Sequence, residues 1–404
     1  MGPIKQPKDV RYLAFEGGGG KGVTYLGAIK ALTKLGVLPI DPNRPGANQI
    51  KGISGSSAGA ITALFLAMGY GYKELKAELE NPQTFLDFFD GPDLGQSRMV
   101  DSKNEPVRKR IGQEQMRANL TLYHDSVLDN IVKYLPLLLG DQHSPIIRTI
   151  QENPHQYINN LLFEKGLFPG FTVREYFQKK VAQRFVPKDR TYSTFIPDSF
   201  IRMPFKEFYL KTGVDLVITG VNTTKKQPGI FSKDVTPHFP VAEAVGISMS
   251  LPLLFKPVAV NARVPTSETI TSTRAYEGDW VDGGVLNNFP LHAFDLLGPQ
   301  VSDKYPELRP LHPQMLGLRL TEPVPKKVKS ESLFGPLLAY VGDLFGTFMH
   351  GSEEGQIRNR SEALQTINLD TGTLGTTDFA PDPAVAAQQQ RMAEKTVLAY
   401  FKDA

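Results

Sequence analysis

Residues 12–22 read Tyr12-Leu13-Ala14-Phe15-Glu16-Gly17-Gly18-Gly19-Gly20-Lys21-Gly22. The opening apolar run suits a strand covered on both faces, and the glycines that follow break it. Beyond them Leu26, Ile29, Leu32 and Leu35 recur at helical spacing, and Gly36 stands where a helix C-cap belongs. The pattern then repeats. A polar loop from Pro39 to Asn48 leads to a short strand at Ile50 to Ile53, a glycine-containing turn, and a helix carrying Ile61, Leu64 and Phe65. Two strand–turn–helix units in series predict an α/β fold, with a mainly parallel sheet covered by helices.

Further strands are expected at Val214 to Val221, Val258 to Val260, Gln314 to Leu320 and Gln365 to Leu369. Helices are expected at Val241 to Met249 and at Pro383 to Phe401, where Pro383 fits the first turn. Residues 81–205 alternate polar loops with apolar pieces such as Ile131 to Leu139, and read as a largely helical insertion. No internal repeat, coiled coil or low-complexity tract is visible.

The chain has 404 residues, 41% hydrophobic and 22% charged, enough to bury a sizeable core. Its net charge of +3 is far from the basic bias of a nucleic-acid binder, so no nucleic-acid partner is expected. With no cysteine, disulfides, thiolate metal sites and cysteine nucleophiles are excluded. Met1 to Val10 is polar and lacks the apolar core of a cleaved secretory signal, so the expected location is cytoplasmic, or exported without such a signal. The uncharged stretch Ile53 to Tyr72 is long enough to suggest a membrane span, but its first half is too polar and glycine-rich for lipid.

Three motifs carry chemistry. Gly55-Ser56-Ser57-Ala58-Gly59 is a G-x-S-x-G between a strand and a helix. A serine on such a turn is exposed near the positive end of the helix and can attack a carbonyl. A small-residue turn that lets helix and sheet approach closely is the plainer alternative.

Gly17 to Gly22 also matches G-x-G-x-x-G, the dinucleotide fingerprint, and Asp41 lies near the distance of a ribose-binding acid. Asp41 sits in a Pro-rich loop, however, not at a strand end. A phosphate loop is excluded because Val23 stands where Ser or Thr would bind magnesium. The other reading is a nest of backbone N–H groups for a tetrahedral oxyanion, with Lys21 adding positive charge. The loop alone does not choose.

Asp282-Gly283-Gly284 ends a strand-like run, Tyr276 to Val281. Asp-Gly is a common turn pair. An aspartate there becomes a useful base only when desolvated and hydrogen-bonded to the group it deprotonates.

Taken together, the glycine loop with its lysine, the G-x-S-x-G and the distant Asp-Gly-Gly resemble the patatin-like phospholipase family. Glu164 to Phe168, Val245 to Pro252 and Asn287-Asn288-Phe289-Pro290 extend the likeness across residues 11–320. The resemblance implies a three-layer α/β/α catalytic domain over 11–320, with the 81–205 insertion, and hydrolysis of fatty-acyl esters of phospholipids or other acyl lipids without metal or cofactor. It makes Ser57 the nucleophile and Asp282 the base, without histidine. It makes Gly18, Gly19 and Gly20, beside Lys21, the oxyanion site, and Gly17, Gly22, Gly55, Gly59, Gly283 and Gly284 the motif glycines. Glu16 stands where a smaller Ser or Asp is usual. Residues 321–404 match nothing in the family and are expected to pack on the same domain.

Rival readings remain at this point. A triad would enlist His292, His312 or His350, although His292 is better placed for packing. A nucleotide-binding oxidoreductase would use the first glycine loop, and a silent lipid-binding module would keep only the fold. Lys326-Lys327-Val328-Lys329 before the apolar stretch Leu333 to Met349 suits an anionic membrane surface, while a buried helix behind a solvated loop is the commoner arrangement.

Overall fold

The computed structural model describes residues 4–91, 98–100, 105–107, 149–150, 152–185, 202–260, 276–295, 311–321, 360–376, 379 and 381–403. His350 and the basic and apolar stretch of 326–349 lie outside them.

The chain folds as an α/β structure around one large sheet. Its strands are β1 Tyr12–Phe15, β2 Gly52–Gly55, β3 Arg98–Val100, β4 Glu105–Val107, β6 Asp215–Asn222, β7 Gln227–Phe231, β9 Val258–Val260, β10 Gly278–Asp282, β11 Met315–Thr321 and β12 Thr366–Asp370. Two more strands, β5 Gly166–Phe168 and β8 Leu253–Phe255, pair with each other in parallel. Five strands run parallel in the order β12-β11-β1-β2-β6. β7, β10 and β9 continue from β6 in antiparallel pairings, and β3 and β4 extend that edge. Residues 81–205 therefore contribute two strands to the sheet besides their helices, and strands of only three residues are too short to leave a period in the sequence.

Alternation along β1 divides the interior. Leu13 and Phe15 enter the larger core, with helices α1 (Tyr25–Lys34) and α2 (Ala58–Ala67). Tyr12 and Ala14 face a smaller core closed by Phe289, Leu291, Leu311 and Met315. All ten residues of α2 are buried, so it is apolar all round and shows no amphipathic stripe. The uncharged stretch from Ile53 thus becomes strand, turn and this short helix. Among the described residues no helix is long and apolar enough to cross a membrane.

The remaining helices are α3 Tyr72–Leu79, α4 Pro82–Leu86, α5 Pro154–Glu164, α6 Phe171–Phe185, α7 Phe205–Thr212, α8 Val241–Ser248, α9 Gly284–Asn287, α10 Arg360–Leu364 and α11 Pro383–Asp403. The end of the chain is built into the same layers. β12 pairs with β11, and α11 lies along α1, where Lys30 and Lys34 both reach Glu394 at 2.8 and 2.6 Å.

Candidate active site

The sheet register brings the two chemical motifs together. A strand has two edges, and at Ile218 β6 pairs with Gly55 of β2 on one edge and Phe231 of β7 on the other. β7 keeps its edge through Asn222, so β10, which pairs with Gly220 to Asn222, shares the edge of β2. Running antiparallel, β10 meets β2 head-on. Its last residue, Asp282, faces the turn that carries Ser57.

Ser57 is the N-cap of α2, with φ +50° and ψ −122°. Positive φ is strained for a residue with a Cβ, and costs on the order of 1–3 kcal/mol where the surroundings hold it. Here they do. Ser56 N–H donates to Phe15 O at 3.3 Å, Gly59 N–H donates to Ser56 O at 2.7 Å, and Ser57 N–H donates to the Ser248 hydroxyl at 2.9 Å. Ser57 is 1% exposed and Ser248, at the end of α8, is fully buried. Replacing Ser248 with Ala leaves a buried N–H without its acceptor. We expect Ser248→Ala to lower the unfolding free energy by about 1–3 kcal/mol in urea titrations.

Asp282 is 0% exposed. Its N–H donates to Ser250 O at 2.9 Å, and its Oδ1 accepts from Gly284 N–H at 2.7 Å. Burial pushes its pKa up to about 7, against the opposing pull of the Gly284 N–H and the Ser57 hydroxyl. Oδ2 has no hydrogen bond of ordinary geometry among the described residues, although Ser57 is near enough to act on the carboxyl. A carboxyl group half-ionised at neutral pH, beside a hydroxyl, can accept that hydroxyl's proton and return it.

The glycine loop lies against the same turn. A Cβ built on Gly17 would stand 3.0 Å from Ser57 Cβ, and one on Gly22 would stand 2.9 Å from Ala58 Cβ. Asn288 clamps the loop at its start: Gly17 N–H donates to Asn288 O at 2.9 Å, and Asn288 Nδ2 donates to Gly17 O at 3.1 Å. Lys21 N–H donates to Gly18 O at 3.1 Å, and Gly20 N–H donates to Thr376 O at 2.9 Å. Among the described residues, the N–H groups of Gly18 and Gly19 have no acceptor. Lys21 is buried in this loop. Glu16, fully buried, accepts from Leu320 N–H at 2.6 Å, while its own carbonyl accepts from Tyr25 OH at 2.7 Å. The larger acid thus fastens the loop to β11 through a reach that Ser or Asp would not have.

The residues invoked by rival readings are engaged elsewhere. His292 holds Asp295 Oδ2 at 2.8 Å and Glu362 Oε1 at 3.3 Å. Burial opposes its charge, but the two carboxylates prevail and raise its pKa to about 9. His312 packs against Tyr12, ring centroids 4.4 Å apart. Asp41 receives Asn43 N–H and the Arg44 guanidinium, both at 2.9 Å, within its own loop. A dinucleotide would need the face of the glycine loop, where a Cβ on Gly19 would overlap Thr376 O. Among the described residues no group of three or more His, Asp or Glu could hold a metal ion.

An apolar cleft, partly open to solvent, lies beside Ala58 and the glycine loop. Neither Ser57 nor Asp282 lines it, but Ala58, the residue after Ser57, does.

Some of these partners were beyond sequence reasoning. Ser248 lies in a helix expected from the sequence, but nothing there marks out its hydroxyl, and its bond to Ser57 N–H spans 191 residues. Thr376 sits in a stretch, Asp370 to Thr377, with no periodicity to read.

Comparison with known proteins adds a family and relatives. The family described as patatin-like phospholipase matches residues 13–295. A probable lipid hydrolase, 463L, of Invertebrate iridescent virus 6 is 31% identical over 87 residues, 22% of this chain and 25% of that protein. The uncharacterized protein YqhO of Bacillus subtilis is 28% identical over 282 residues, 69% of this chain and 65% of that protein. This chain therefore spans less than two thirds of either relative. Among solved structures, VipD of Legionella pneumophila has a TM-score of 0.48 at 18% identity, covering 98% of this chain and 67% of VipD. ExoU of Pseudomonas aeruginosa, solved with SpcU, has a TM-score of 0.37 at 17% identity, covering 99% of this chain and 53% of that one.

Proposed function

Because the chain belongs to the patatin-like phospholipase family, we propose that it is a lipid acyl hydrolase in which Ser57 is the nucleophile and Asp282 the general base. The substrate is a fatty-acyl ester of a phospholipid or other acyl lipid.

The Ser57 hydroxyl oxygen attacks the ester carbonyl carbon, and its proton passes to Asp282 Oδ2. The oxyanion receives the N–H groups of Gly18 and Gly19, the two in the loop that no described carbonyl occupies. As the tetrahedral intermediate collapses, the C–O bond to the alcohol breaks and Asp282 returns the proton to the departing oxygen. The acyl group is left on Ser57. Water then attacks the acyl-enzyme, losing its proton to Asp282, and the second tetrahedral intermediate expels Ser57, which regains that proton as the fatty acid departs. Every step draws on groups of this chain.

The observation that carries the reading is the buried Asp282, with a pKa near neutrality, beside a serine held on a strained strand-to-helix turn. A fluorophosphonate probe tests it. The expected result is a single adduct mapped by mass spectrometry to Ser57 and lost in Ser57→Ala. An adduct on another residue, or undiminished labelling of the Ala variant, would sink the assignment.

A further inference from the structure

We propose that Phe379, in the segment between β12 and α11, sets the length of acyl chain that the site accepts. The proposal rests on the hydrolase reading above and extends it to substrate choice.

The apolar cleft is lined at the serine turn by the glycine loop and Ala58, and otherwise by Ile61, Leu79, Phe85, Met249, Phe379 and Pro381. The hydroxyl of Thr62, which also lines it, donates to Ala58 O at 3.1 Å, so this wall offers no unmet side-chain hydroxyl. Such a lining suits hydrocarbon. The cleft begins one residue from the nucleophile, where the chain of an acyl-enzyme must leave the ester carbonyl.

Phe379 is well held. Its ring meets Phe89 edge-on at 5.3 Å, and Phe89 stacks on Phe255 at 5.7 Å. Three residues earlier, Thr376 O accepts the Gly20 N–H at 2.9 Å and ties the same segment to the glycine loop. A ring backed by an aromatic cluster does not swing aside for an extra methylene, so it acts as a stop. Phe379 also lies outside residues 13–295, so the family match does not supply it.

The test compares p-nitrophenyl dodecanoate with p-nitrophenyl butyrate. Phe379→Ala is expected to raise the dodecanoate-to-butyrate ratio of kcat/KM at least about tenfold, as a pocket gaining room for methylenes does. Phe379→Leu should fall between Ala and the native residue, and Phe379→Trp should lower the ratio. The ratio is taken on one preparation, so any inactive fraction cancels. A ratio unchanged in both Ala and Trp variants overturns the proposal. If no ester is turned over, the hydrolase reading fails by itself. Calorimetric titration of dodecanoate into Ser57→Ala protein still decides the role of Phe379: adding Phe379→Ala must tighten binding about tenfold, and equal affinity overturns it.

Discussion

Asp282→Asn is expected to cut ester turnover by about a hundredfold to ten-thousandfold while making the folded protein more stable at alkaline pH. Both effects come from one cause. The carboxyl is wholly buried, and burial raises its pKa to about 7. In the unfolded chain an aspartate ionises near 3.9. As pH climbs between those two values, the folded state keeps a proton that the unfolded state has released, so this group makes stability fall. Above about pH 7 both states are ionised, and the loss has reached its limit, on the order of 4 kcal/mol. Asparagine cannot ionise, and its oxygen can still accept the Gly284 N–H.

The melting temperature of Asp282→Asn should therefore exceed that of the native protein by several degrees at pH 8, and the gain should shrink to about a quarter at pH 4.5, vanishing only below the unfolded pKa of about 3.9. Turnover must move the opposite way. With Asp282 as base, kcat/KM of the native enzyme rises through pH 7 as the carboxyl loses its proton. Ser57→Ala should remove turnover without the pH-dependent gain in stability, since it leaves the buried carboxyl in place. Equal melting temperatures for native and Asn proteins at pH 8 would remove the ground for a desolvated base.

The parallel layers were legible because they need little long-range information. Leu13, Ala14 and Phe15 are buried on both faces of the sheet, so their apolar run reads directly as a strand. The second strand was placed two residues early. β2 runs on into Ser54 and Gly55 because these pair in register with Ala14 and Phe15, and two small residues show no β-pattern of their own. Gly36 marks the end of α1 as expected, with φ +73°.

The meeting of Ser57 and Asp282 was another matter. From residues alone it could be inferred only by likeness, since it depends on β10 lying antiparallel on the same edge of β6 as β2, beyond the end of β2, and motif spacing does not encode a shared edge. The loop donors differ for a related reason. Four successive glycines look equivalent in sequence, but a carbonyl from residue 376 engages the N–H of Gly20 and sets it apart from Gly18 and Gly19. His292 shows the same limit, because one of its two acidic partners, Glu362, lies 70 positions away by their numbering.

Gly59→Ala should be the most damaging of three otherwise identical substitutions. Helix propensity alone favours Ala at this position in α2 by about 1 kcal/mol. The tertiary contact reverses that preference. A Cβ on Gly59 would overlap Phe15 O and stand 2.7 Å from Glu16 O, and neither is a flexible side-chain end that could move aside. The helix must back away from β1, at a cost of about 1–3 kcal/mol or more. Since Ser57, the proposed nucleophile, is the N-cap of α2, a retreat of about 1 Å displaces it and should lower kcat on a soluble ester by roughly a hundredfold.

Gly36 and Gly46 separate this effect from the others, because a Cβ at either would meet nothing within 4 Å. Gly36→Ala carries the strain of φ +73° and should lose about 1 kcal/mol in urea denaturation with kcat intact. Gly46→Ala, with no positive φ, should be neutral or gain about 0.4–1 kcal/mol from a less flexible unfolded chain. If Gly59→Ala kept native kcat and lost no more stability than Gly36→Ala, close packing of α2 on β1 could not be what holds the serine at its angle.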